Sequence, residues 1–349
     1  MSPAPETPGL TLVSDAPESP APAAPARVAG TVRRTSHVDM HWDLPPDSEP
    51  FAPTSLHLRA FARDARTGDT GAIVRLGEAR VDARVDGEGK LSRITAHPAT
   101  GDADALLGAR VGSGFRRRTE KAFPDERGTP LGLLLDDLPV AALIAGYARV
   151  RRAMAGGTLP SNLAPMASAK DREDLCSGWR AGGTMINSIL SGEGLPYRRG
   201  PVAPEPAPGD PDGWHEETAL PPGAMRRRRR IDLQPGATPD ASPRINAMFR
   251  DTWMDLQGRE EVLHEYLVHA SLTRDRKRIE TISADPRVLP FGECPAAGNF
   301  VRKLVDAEVV QLRRTVRESL VSTESCTHLN DLLRALGDVT YLLGHLDTG

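Results

Sequence analysis

Cysteine, lysine and aromatic residues are all scarce in this chain. Its 349 residues include three cysteines, Cys176, Cys294 and Cys326, too few to staple a chain of this size, so a disulfide-built secreted scaffold is excluded. The N-terminus is rich in Pro and Ala instead of basic and then apolar, which is not the pattern of a secretory leader. A reducing cytoplasm is the expected home. Aromatics make up 4%, so cores must be built from Leu, Val, Ile and Ala, and the stacking platforms of single-strand nucleic-acid binders are undersupplied. A net charge of −3 argues against a nucleic-acid-coating surface, and nothing in the composition suggests a transmembrane span. Lysine occurs only at Lys90, Lys121, Lys170, Lys277 and Lys303, so Arg carries nearly all positive charge.

What remains is an ordinary soluble composition, 39% hydrophobic and 26% charged, with length enough for two domains. Residues 1–31 repeat Pro-Ala and Ser-Pro steps without apolar periodicity and read as a disordered tail. Residues 151–224 read as a connector, Pro-rich from 201, whose stretch 201–222 is expected to run as an extended linker or surface loop.

The parts on either side of that connector resemble each other. The run Val-Arg-Arg-Thr-Ser-His-Val-Asp at 32–39 aligns with Met-Arg-Arg-Arg-Arg-Arg-Ile-Asp at 225–232. Residues 78–85 align with 265–272, 94–98 with 282–286, the Leu107 and Phe115 region with Leu304 and Leu312, and Leu-Asp-Asp-Leu at 135–138 with Leu-Asn-Asp-Leu at 329–332. Five matches in one order indicate an internal duplication, 32–150 and 225–349, the first copy degenerate and without cysteine.

Within the second unit, Val262, His264, Tyr266, Val268, Ala270 and Leu272 alternate with Leu263, Glu265, Leu267, His269 and Ser271, the period of a strand. A charged turn at 274–277 and the apolar run 279–284 continue a β-meander. Leu329, Leu332, Leu333, Leu336, Val339 and Leu343 then form a helical stripe with Thr327 placed to cap it. The first unit repeats this with Thr129 as cap and Pro130 at the first helical position, and Pro139 is expected to kink or end that helix. The predicted fold is α+β: two tandem antiparallel meanders, each backed by helices.

Chemistry concentrates in the second unit. His264 and Glu265 lie on a strand, Cys294 lies where the meander gives way to a helix, and Cys326 and His328 open the last helix. Thiols, imidazoles and a carboxylate suit Zn²⁺ or another borderline cation. Cys326 at a helix N-terminus would also be pushed towards thiolate by the helix dipole. Buried core cysteines and a packed histidine are the competing reading. Arginines 226–230 could grip phosphate, but alternate arginines of a strand are expected to point to solvent, and the Gly-rich segment 176–184 reads as a turn-rich connector.

Arg-Arg-Ile-Asp ending at Asp232, His264-Glu265-Tyr266, Cys294, Leu304 and Cys326-Thr-His-Leu329 together resemble the bacterial domain-of-unknown-function family numbered two-eight-eight-nine, which implies no activity. The order strand, strand, Cys, helix, Cys also resembles the iron–sulfur scaffold group NifU, IscU and SufU, and the related SufE-like fold. That resemblance implies a metal site in which Glu265 stands for the scaffold aspartate, Cys294 for the second cysteine and Cys326 for the third. Leu263 occupies the place of the first scaffold cysteine, so the resemblance implies a retained zinc-like site using His264 or His328 in preference to cluster assembly.

Two other readings stand beside a metal centre. One is an enzyme on a small anionic catabolic intermediate, with Cys326 as nucleophile, His328 or His264 as base, and Arg116, Arg313 or Arg314 pairing with the substrate. The other is a non-catalytic adaptor whose duplicated surface binds a protein partner.

Overall fold

Strands Val32–Trp42 (β2), Leu56–Thr67 (β3), Ile73–Val85 (β4) and Leu91–His97 (β5) form one antiparallel meander. Met225–Gln234 (β7), Arg244–Met254 (β8), Glu260–Leu272 (β9) and Ile279–Val288 (β10) form another. A short parallel pair, Leu10–Leu12 (β1) with Leu195–Tyr197 (β6), stands apart. These elements come from a computed structural model that describes residues 10–12, 16–45, 48–155, 169–191, 195–236, 238 and 241–346. The α+β class and the two meanders are as expected. The two are not separate tandem bodies, however, because β2 and β7 pair antiparallel and fuse them into one eight-stranded sheet, β10-β9-β8-β7-β2-β3-β4-β5.

The register of that central pair identifies the duplication in three dimensions. Ser36 faces Arg229, with Arg33 opposite Asp232 and Asp39 opposite Arg226. The sequence alignment equates Arg33 with Arg226 and Asp39 with Asp232, so the ion pairs Arg33–Asp232 at 2.6 Å and Arg226–Asp39 at 2.5 Å are one interaction made twice about a pseudo-twofold axis.

Helices pack on one face of the sheet. Phe115–Ala122 (α1), Pro130–Ile144 (α2) and Gly146–Ala155 (α3) serve the first half, and Ala169–Arg172 (α4) and Thr184–Ser191 (α5) lie in the connector. A 3₁₀ segment Cys294–Leu304, Leu312–Ser319 (α6), Thr327–Ala335 (α7) and Val339–Leu343 (α8) serve the second half. The Thr129 hydroxyl accepts the Gly132 amide at 3.1 Å, the expected cap. Pro139 does not end α2, which runs on through it to Ile144. Thr327 is the first helical residue and not the cap; Cys326 holds the cap position without a side-chain bond. The last apolar stripe is broken by a 3₁₀ turn, Leu336–Asp338, into α7 and α8.

Two apolar clusters result, one per half, and a layer of buried ion pairs lies between them. Arg34 grips Asp64 and reaches Asp338, Arg227 grips Asp251 and reaches Asp331, and Arg229 bridges Asp137 and Asp331. Arg116 and Arg313 extend it through Asp136. Arginines 226–230 therefore do not face solvent: all five are at most 5% exposed. Burying unpaired guanidinium ions would cost several kcal/mol each, so every one carries an acceptor.

The opposite face of β7–β9 is covered by the stretches composition reads as tail and linker. Of the expected tail, residues 16–31 are described and Ala16 and Ala21 are buried, while most of residues 1–15 lie outside the described residues. Ala21 packs with Ala207, Trp214, Met248 and Leu267, and Pro204 O accepts from Arg250 at 2.6 Å. Proline-rich segments suit this layer, because chain without regular hydrogen bonding can still offer carbonyls to buried arginines.

Candidate metal centre

His264 sits on β9, where a bulge shifts the register between the Asp251–His264 and Thr252–Val262 pairs. The bulge turns Leu263 into the first half's apolar cluster and leaves His264 facing the start of α7. His328, in the first turn of α7, stacks on it with ring centroids 3.9 Å apart and planes 14° apart, and Phe249 closes the other side of His328. Asp251, on β8 beneath the pair, is fully buried.

The three polar groups lie close together. His264 Nδ1 lies 3.9 Å and His328 Nε2 3.6 Å from the same oxygen, Asp251 Oδ2. Both nitrogens are buried and neither has a hydrogen-bond partner, and all three ligand atoms lie within 4.8 Å of one another. Burial holds both imidazoles neutral, lowering His328 to about 3 and His264 well below its ordinary value. Neutral imidazole is the form that binds a metal. Arg227 fixes the carboxylate through Nε to Oδ1 at 2.7 Å and Nη2 to Oδ2 at 2.8 Å, an orienting contact typical of a ligating carboxylate.

The other expected ligands lie elsewhere. Glu265 projects to the opposite sheet face, where its oxygens accept from Arg250 at 2.6 Å and from the Ala21 amide at 2.7 Å. Adjacent residues of a strand point to opposite faces, so His264 and Glu265 do not share a ligand sphere. Cys294 opens the 3₁₀ segment and its carbonyl accepts the Tyr266 hydroxyl at 3.0 Å. Neither Cys294 nor Cys326 belongs to a ligand cluster with the histidines among the described residues.

Burial also disfavours the thiolate form of the cysteines. Burial raises Cys294 well above its ordinary value and Cys326 to about 11, although the His328 and Leu329 amides at the start of α7 favour thiolate. Desolvation outweighs the helix dipole here. Segment 176–184 packs against this region as connector: the Ser177 amide donates to Ser325 O at 2.8 Å and its hydroxyl to Glu293 O at 2.7 Å. Of the substrate-pairing arginines of the enzyme reading, Arg116 is paired with Asp136 and Asp331 and Arg313 with Asp136 and Asp338, whereas Arg314 lies on the surface beside Glu318.

Asp251 is the member of this candidate group that the sequence alone did not single out. Its signal was the duplication: Asp251 corresponds to Asp64, each being the strand partner of the second arginine of the repeated Arg-Arg step. A second group, His37, His215 and Glu217, lies on the opposite sheet face. There the rings bond each other at 2.6 Å, His215 also meets Thr35, and Glu217 is held by Arg226, Arg228 and Trp214. Both His215 nitrogens, His37 Nδ1 and the Glu217 carboxylate thus already have partners, unlike the free nitrogens of His264 and His328.

Residues 225–342 match the family model described as "Protein of unknown function (DUF2889)". Strands β7–β10 and helices α6–α8 fall within this match, and with them Asp251, His264 and His328. No curated protein and no solved structure matches the chain, so the NifU, IscU and SufU resemblance gains no support.

Proposed function

We propose that the protein is a metal-binding protein whose centre is His264 Nδ1, His328 Nε2 and Asp251 Oδ2. The observation that carries this reading is the pair of buried imidazole nitrogens without hydrogen-bond partners, 3.9 and 3.6 Å from one carboxylate oxygen. Orphaned buried acceptors are costly, at about 1–3 kcal/mol each, and a cation between them would repay that cost. Ligand atoms around a tetrahedral zinc with bonds of about 2.0–2.1 Å are about 3.4 Å apart. Against the observed 3.6 and 3.9 Å, binding would draw the donors together and splay the two stacked rings so that both nitrogens face one ion.

Two imidazoles and one carboxylate are a borderline-to-hard donor set, suited to zinc, iron(II) or manganese(II), and zinc is the member we favour. Such a set leaves a coordination position free, and the histidine side chains, 15% and 18% exposed, reach solvent at their edges. A small molecule or water binding there would be polarised by the cation. Three unpaired thiols accord with a cytoplasmic location.

The test is metal analysis of purified protein followed by titration of the stripped protein with Zn²⁺, Fe²⁺ under reductant, and Mn²⁺. The expected result is one equivalent bound, lost in His264→Ala and in His328→Ala and kept in Glu265→Gln. Stripped wild type that takes up none of the three ions, or alanine variants that bind as wild type does, would overturn the reading.

A further inference from the structure

On the sheet face opposite the helices, the covering chain ends at residues 215–218 and leaves a cleft of about 450 Å³ over β2, β3 and β4. Its lining includes Arg63, and the duplication gives this residue an internal reference. Arg34–Asp64 and Arg227–Asp251 are equivalent pairs, so Arg63 is the counterpart of Arg250. By the same relation Glu78, opposite Arg63 in the β3–β4 register, is the counterpart of Glu265, opposite Arg250.

The two copies differ in what they do with that pair. Arg250 bonds Glu265 at 2.6 Å and is neutralised. Glu78 instead meets Arg75 at 3.4 Å, following a bulge where Asp64 and Ala65 pair with Gly77 and Arg75. Arg63 is left 6% exposed, with the Asp212 carbonyl at 2.8 Å, no hydrogen-bond partner on Nε, and no carboxylate within ion-pair distance among the described residues. A buried arginine without a counter-ion is rare, because its charge is otherwise uncompensated. Burial and the nearby Arg75 lower its pKa, against the weaker pull of the more distant Asp212 and Glu78 carboxylates.

The cleft supplies the rest of a ligand site. Phe61 forms an apolar wall, with Arg80 5.3 Å above its ring and His215 4.8 Å away. The carboxylates nearest the histidines, Asp39 and Glu217, are already held by Arg226 and Arg228 and do not compete for Arg63.

We propose that this cleft binds a small planar carboxylate, its anionic end taking the place on Arg63 that Glu265 takes on Arg250 and its apolar body lying against Phe61. A carboxylate is favoured because the missing partner is itself a carboxylate, and because guanidinium and carboxylate match as planar forks. The site lies on the opposite sheet face from His264 and His328 and does not depend on a metal there.

The experiment is calorimetric titration of the full chain with benzoate, acetate and inorganic phosphate at fixed ionic strength. Saturable benzoate binding is expected, tighter than acetate or phosphate. Arg63→Lys, which keeps the charge but loses the fork, should weaken benzoate about tenfold, and Arg63→Gln should weaken it further. Phe61→Leu should narrow the gap between benzoate and acetate. Arg63→Lys keeps the test open should Arg63→Gln fail to fold. Absence of benzoate binding to wild type, or binding that Arg63→Lys leaves unchanged, overturns the proposal; phosphate binding tighter than benzoate overturns the carboxylate class.

Discussion

Arg34 and Arg227 hold equivalent places in the two halves of the sheet, each clasping an aspartate on the next strand through Nε and Nη2 at 2.6–2.8 Å. Each then sends Nη1 to a different aspartate of the C-terminal helices, Asp338 or Asp331. The ionic layer is thus what ties the second half's last helices to both halves of the sheet. Arg34→Gln leaves Asp64 and Asp338 short of a buried cation and is expected to cost about 3–5 kcal/mol in urea unfolding. Arg59→Gln, whose partner Asp82 lies 3.6 Å away on the surface, should cost no more than about 1 kcal/mol. Comparable losses in the two variants would remove the layer's structural importance.

Acid should destabilise the metal-stripped protein from an unusually high pH. An unfolded imidazole titrates near 6.5, whereas burial lowers His328 to about 3 in the fold. Between those values the unfolded chain binds more protons, so stability falls as pH drops below about 6.5, by about 1.4 kcal/mol per pH unit for one such group, and is flat above. His215, lowered to about 2 by burial, acts in the same direction. His328→Gln should lose about 1–2 kcal/mol less than wild type between pH 6.5 and 5. Identical slopes for mutant and wild type in denaturant melts would show that His328 titrates freely.

Alkylation at pH 7.5 should rank the cysteines by burial. Cys176 is half-buried, while Cys294 and Cys326 are buried and raised, so iodoacetamide read by peptide mass should mark Cys176 first and reach the others only on unfolding. Cys326→Ser should cost about 1–3 kcal/mol for the buried hydroxyl and leave metal content unchanged. Loss of metal in that variant would return the thiol to the ligand set.

The amide of Ala21 donates to the fully buried carboxylate of Glu265. Ala21→Pro deletes that donor, and the expected cost is about 1–3 kcal/mol with a matching fall in melting temperature. A variant as stable as wild type would show that the N-terminal stretch does not hold the sheet face.

The duplication, the meanders and the histidine members of the site were legible because each rests on a local signal: aligned motifs, alternation on β9, helical spacing after Cys326. The fusion into one sheet was not, since strand pairing between residues nearly two hundred apart leaves no periodic trace. The burial of arginines 226–230 was hidden for a related reason. A strand of five consecutive arginines looks solvated until both of its faces are known to be covered, one by helices and one by Pro-rich chain that composition reads as disordered. Glu265 adjoins His264 in the sequence, but strand geometry sends neighbours to opposite faces, so adjacency there does not make a shared site.

The register about Ser36 and Arg229 also says how such a chain could have begun. If two copies of the first half met through β2 in the same register, Ser36 would face Ser36, and Arg33 would meet Asp39 twice, reproducing both cross-strand pairs. Two copies of the second half would instead oppose Arg229 with Arg229 in the interior. In the fused sheet Ser36 and Arg229 share the axis, and Arg229 is neutralised there by one aspartate from each half, Asp137 and Asp331.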